Sequence, residues 1–180
     1  MVRSLIAAIC LAFALPAFAQ VPATGQAPVA PKGIKLPPQT KPPSNRWLED
    51  ADSDADRFRK LEIYLRGFDQ PMLEVGQRYL ALYDAIKDRN WGLADYQWDK
   101  VKLTINGGLM KRPARTRNAE SIFLDVAWPA MDKAIKSKDE ARIREQFGAV
   151  RETCMECHEK EKVPFMNESP LFRTTAGFPR

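Results

Sequence analysis

The sequence predicts an all-α fold: an up-down-up-down four-helix bundle with a short leading helix and irregular N- and C-terminal arms. Three observations carry this. Beyond residue 46, apolar residues recur at steps of three and four in four successive stretches, the mark of helices with one buried face. No stretch alternates polar and apolar at period two, so no sheet is expected. The breaks between stretches are short, and short connections join antiparallel neighbours.

The chain has 180 residues, enough for one ordinary domain with flanking segments. Residues 1–19 read as a secretory signal peptide. Arg3 supplies a positive start, Leu5 to Leu15 an apolar run, and Ala17-Phe18-Ala19 small residues before a cut at Gln20. The run is too short for a transmembrane span, which takes about 20 apolar residues. Cleavage after Ala19 implies export, hence a periplasmic location with no membrane span left. Residues 20–45 hold seven prolines, from Pro22 to Pro43, with few patterned apolar residues. They read as a linker of extended, solvated backbone, disordered or loosely laid on the domain. Residues 46–180 form the helical domain.

Its elements follow in order. Asp52-Ser53-Asp54 caps a leading helix over Ala55 to Arg66, with Phe58, Leu61 and Leu65 as its stripe and Gly67 as its break. The first bundle helix starts near Gln70, capped by Asp69, with Pro71 in the first turn, where a missing N–H costs nothing. Met72, Val75, Tyr79, Leu82, Tyr83 and Ile86 form one face, ending at Arg89-Asn90. The second helix runs from Trp91 to Asn106 on Ala94, Trp98, Val101 and Ile105, stopped by Asn106-Gly107-Gly108. A basic loop follows, with Lys111, Arg112, Arg115 and Arg117 around Pro113. The third helix spans Ala119 to Lys136 and is kinked or restarted at Pro129. The fourth begins near Asp139 and passes beyond His158. Ile143, Phe147, Val150, Cys154 and Cys157 form its inner stripe.

Removing the leader takes Cys10 with it and leaves two cysteines, both in Cys154-Met155-Glu156-Cys157-His158. A bridge across so small a loop restrains little chain entropy, so these cysteines call for a chemical role. C-x-x-C-H is the attachment signature of c-type haem. Two thiols reach two vinyl groups on one edge of the macrocycle, and the next residue turns an imidazole to the iron. On a helix these three positions share a face. A thioredoxin-like pair wants a strand-to-helix turn in a mixed fold, and a zinc site usually takes four protein ligands. This chain has neither; it holds one histidine in all.

Over residues 70–160 the helix order and the late motif resemble the class II cytochromes c, the cytochrome c prime type. That resemblance implies one covalent haem c near the end of the last helix, with His158 as iron ligand. Class I cytochromes place the motif early and draw a distal ligand from a long downstream segment, whereas 22 residues follow His158 here. The Pro-rich arm, the leading helix and the tail from Val163 to Arg180 depart from the class II pattern. With a single histidine, the sixth ligand is a Met, a weak ligand or nothing. Bundle topology sets Met72 level with the motif, and Gly76, one turn on, leaves room for a flat ring. Low-spin class II members carry a Met on the first helix, which Met72 matches; the plain alternative is that Met72 fills core. Met110 falls in the Gly-rich loop, Met131 inside the third helix, and Met166 on the proximal side.

The expected function is electron transfer without bond chemistry on a substrate. The alternative is a five-coordinate haem protein binding carbon monoxide or nitric oxide in a pocket lined by Met72, Tyr79 or Tyr83. A haem enzyme ranks last, as no second histidine supplies acid–base chemistry. The loop at Lys111, Arg112, Arg115 and Arg117 either docks an acidic redox partner or is simply solvated. Lys and Arg total 28 against 23 Asp and Glu; losing Arg3 lowers the net charge from +5 to +4. Signs alternate along the chain, with no nucleic-acid signature. The resemblance leaves subunit number open between a monomer and the homodimer such bundles often form.

Overall fold

Helix follows helix from Asp54 to Thr174, and among the described residues there is no strand. The computed structural model describes Pro42 and residues 44–178, within the unit Gln39–Arg180. The expected leader, residues 1–19, and nearly all of the Pro-rich segment lie outside the described residues. The helices are α1 (Asp54–Leu65), α2 (Asp69–Lys87), α3 (Trp91–Lys111), a single turn α4 (Thr116–Asn118), α5 (Trp128–Ser137), α6 (Glu140–Lys160) and the short α7 (Pro170–Thr174). A π-helical stretch, Ala119–Ala127, joins α4 to α5, and 3-10 turns stand at Pro113–Arg115 and Pro164–Glu168. No helix among the described residues is long and apolar enough to cross a membrane.

The core is built by the stripes the periodicity marks. Tyr79, Leu82, Ala85 and Ile86 of α2 meet Ala94, Trp98, Val101 and Ile105 of α3. Phe123 and Ala127 of the π stretch, Met131, Ala134 and Ile135 of α5, and Ile143, Phe147 and Val150 of α6 close it from the other side. Met72 and Val75 are half-buried at its edge. Trp98 and Trp128 lock the two sides together. Their rings lie 6.5 Å apart and nearly parallel, and each indole N–H donates to the other's backbone carbonyl, at 3.0 and 3.2 Å. A buried indole N–H needs such a partner.

Four local expectations are corrected. First, α3 does not stop at Asn106 but continues through Gly107-Gly108 to Lys111, so Met110 is helical and almost fully exposed. Gly108 serves a close approach rather than a turn: a Cβ there would lie 2.8 Å from a Phe68 ring carbon and 3.1 Å from Cβ of Pro71. Gly108→Val is therefore expected to cost about 1–3 kcal/mol through overpacking, read as a lower urea midpoint at unchanged slope. Second, the stripe of α1 is not buried. Phe58 and Leu65 are exposed, and α1 contributes no fully buried side chain. Ser53 does cap it, accepting from the Asp56 N–H at 3.1 Å. Third, Asp69 is the first residue of α2 rather than its cap. Its carboxylate accepts from the Gly67 N–H just before the helix.

Fourth, the leading helix turns one residue before its expected break at Gly67, with a basic residue in the left-handed position, and three other helices end the same way. Arg66, Arg89, Lys138 and Lys162 all take positive φ, between 53° and 62°, just after α1, α2, α5 and α6. The left-handed position is strained for a side chain with a Cβ, and a cation there faces the negative end of the helix dipole. After α6 the Val163 N–H reaches the His158 carbonyl at 2.8 Å and the Lys162 N–H reaches that of Glu159 at 3.0 Å. This is the Schellman arrangement, and it turns the chain back on α6. Pro129 acts as expected: regular α-helix restarts at Trp128, and the preceding stretch winds more widely.

Candidate functional site

Asp139 caps α6, accepting from the Arg142 N–H at 3.2 Å, and the helix then runs unbroken through the motif. Cys154 continues the stripe of Ile143, Phe147 and Val150 and packs, half-buried, against the core. Cys157 and His158 are half-buried one turn further on. Both thiols are free. Burial, with Cys157 adding to it, pushes the Cys154 thiol up to about 12. Burial and then the Glu161 carboxylate raise Cys157 as well. Both are therefore uncharged thiols at neutral pH, the reverse of the lowered values that activate a C-x-x-C redox pair. A thioether made from either sulfur is uncharged at every pH, so apolar surroundings suit it. Among the described residues no three or more His, Cys, Asp and Glu side chains gather to hold a metal ion, as a zinc site requires.

His158 is held on one side. Its Nδ1 lies 2.8 Å from Oδ1 of Asn167, in the 3-10 turn that follows the Schellman reversal. The Asn167 amide N–H donates to the Met155 carbonyl at 3.2 Å. That second bond settles which way the amide points: its oxygen faces the ring, so Nδ1 carries the proton and donates. In the neutral ring with this tautomer Nε2 bears the lone pair, which is what an iron ligand needs. A haem iron asks the protein for one or two donors of this kind, and two thiols with one imidazole on one helix face fit a haem c.

The register of α2 against α6 follows from two pairs. Arg89 bridges Glu140 at 2.7 Å, and Tyr79 stacks on Phe147 at 4.4 Å. Continued toward the start of α2, this antiparallel register sets Met72 level with the last turns of α6. The tail lies alongside at that level. Leu171 packs where a Gly76 side chain would point, with its Cδ2 3.4 Å from that Cβ position, and the Phe172 ring meets the His158 ring edge-on at 5.7 Å. Gly76 thus leaves room for Leu171, where the sequence suggested a macrocycle. Arg151 donates twice to the Phe172 carbonyl, and the Tyr83 hydroxyl donates to that of Gly177 at 2.9 Å. Tyr79 is buried and donates to the Phe147 carbonyl at 3.3 Å, and burial raises its phenol. Both tyrosine hydroxyls are thus engaged by backbone. Met131 is fully buried, while Met110 and Met166 are exposed.

The basic residues divide. Arg115 pairs with Glu161, which also accepts from Asn118 at 2.8 Å, so this carboxylate ties the end of α6 to the 3-10 turn and α4, just before the π stretch. Lys111 donates to the Leu65 carbonyl at 2.8 Å. Arg112 and Arg117 are exposed. Asn167 was not legible as a site residue, whereas the apolar Leu171 and Phe172 of the tail were suited to packing back on the bundle, as they do. The one local signal is Ser169-Pro170, the start of α7, whose Ser side chain accepts from the Leu171 N–H. No family model, curated protein or solved structure matches this chain.

Proposed function

We propose that this protein is an exported mono-haem cytochrome of the class II kind, a four-helix bundle made of α2, α3, the π stretch with α5, and α6. Cys154 and Cys157 would hold one haem c through thioethers, with His158 as an iron ligand. The protein serves as a periplasmic electron carrier. The observation that carries this reading is the C-x-x-C-H motif on the last two turns of α6, with Cys154 against the core and Nδ1 of His158 held by Asn167. When bound, the group supplies a metal that gains and loses one electron. The chain's residues hold it, shield it and set its potential.

Met72 would be the second protein ligand, since the register of α2 against α6 brings it level with the motif. The contact of Leu171 with the Gly76 position favours keeping the second reading, a five-coordinate gas-binding protein. A Met ligand requires that side chain to give way. Absorption spectra of the oxidised, reduced and carbon-monoxide-treated protein separate the two. Met ligation gives a low-spin ferric spectrum with a weak sulfur-to-iron band in the far red, lost in Met72→Ala. A high-spin ferric spectrum with rapid carbon monoxide binding by the wild type rules out Met72. Arg112 and Arg117 are the exposed cations proposed to dock an acidic partner. The electron-transfer rate then falls as ionic strength rises.

A further inference from the structure

We propose that Asn167 is a positioning residue for the haem iron: through Nδ1 of His158 it fixes the ring and lowers the reduction potential. This deepens the haem reading above and rests on it. The two ends of the Asn167 amide do different work. Its N–H is anchored on the Met155 carbonyl at 3.2 Å, so its oxygen is held at Nδ1 of His158 at 2.8 Å and cannot swing away without losing the anchor. The Schellman reversal at Lys162 and the 3-10 turn Pro164–Glu168 bring it there, nine residues along the chain from its partner.

An acceptor on the far nitrogen of a metal-bound imidazole fixes its tautomer and raises its basicity. A more basic ligand donates more charge to the metal and favours the ferric over the ferrous state. The neutral amide sets this donation at an intermediate strength. An apolar residue would remove it, and a carboxylate would increase it. The tail is therefore part of the electron-transfer site, although it follows the attachment motif.

The test is a redox titration of the wild type, Asn167→Ala and Asn167→Asp holoproteins, with haem content measured as the pyridine haemochrome and thermal midpoints followed by circular dichroism. The potential is expected to move up in Asn167→Ala and down in Asn167→Asp. A purely structural role would lower the thermal midpoint in both variants without this opposition. Potentials that do not move, or that move the same way, overturn the proposal. If Asn167→Ala retains no haem, Asn167→Leu, which keeps the volume but removes the acceptor, takes its place, and an unchanged or lower potential overturns the proposal. A wild type without covalent haem would instead overturn the function proposed above.

Discussion

Cys154→Ala with Cys157→Ala, produced with export and haem-attachment machinery, is expected to yield a chain with no covalently held haem. The wild type made alongside should keep its haem through denaturing electrophoresis and acid–acetone extraction. The effect is all-or-none because Cys154 and Cys157 are the only cysteines beyond Cys10. Each single variant is expected to retain one thioether and a shifted haemochrome band. The control is stability: Cys154 packs on the core edge, and an alanine there removes only one sulfur, so the haem-free chain should still show helical circular dichroism. Wild-type protein that loses all its haem on extraction would sink the attachment claim.

Trp98→Ala is expected to cause the largest loss of stability of any single core substitution proposed for this chain. Trp98 is fully buried, stacks with Trp128 and meets Phe123 at 5.7 Å. Truncating a buried aromatic to alanine costs about 3–5 kcal/mol through lost burial and the cavity left behind. The Trp128 carbonyl also loses the donor it receives at 3.0 Å. Against a typical total of about 5–15 kcal/mol, such a loss leaves a marginal fold. Urea denaturation followed by circular dichroism reads it directly. Trp98→Phe should recover part of the loss, because it restores the ring but not the N–H. A Trp98→Ala midpoint within error of the wild type would show that the two sides of the core are not held here.

The helices were readable because burial on a helix repeats every three to four residues. The stripe Ile143, Phe147, Val150 and Cys154 predicted both α6 and the direction in which the motif faces. The start of α6 near Asp139 was also readable, and there the Asp139 side chain satisfies an exposed N–H of the first turn. Gly107-Gly108 misled because glycine has two uses. A local reading takes it as a helix stop, yet at Gly108 the missing side chain admits Phe68 and Pro71, some forty residues away. The left-handed turns at Arg66, Arg89, Lys138 and Lys162 gave no signal of their own, because residues without turn chemistry hold the strained position.

The sequence by itself determined that the chain is helical, where its apolar faces lie, and that two thiols and one imidazole share the end of one helix. These properties depend on spacing along a single element, and spacing is written in the order of residues. Only the tertiary structure decided what surrounds that imidazole. Asn167 meets Nδ1, Phe172 meets the ring, and Leu171 fills the space over Gly76, because the chain reverses after Lys162 and returns along α2 and α6. A hydrogen bond across such a return has no period. It depends on the angle at which the chain leaves a helix, and a strained Lys162 sets that angle here.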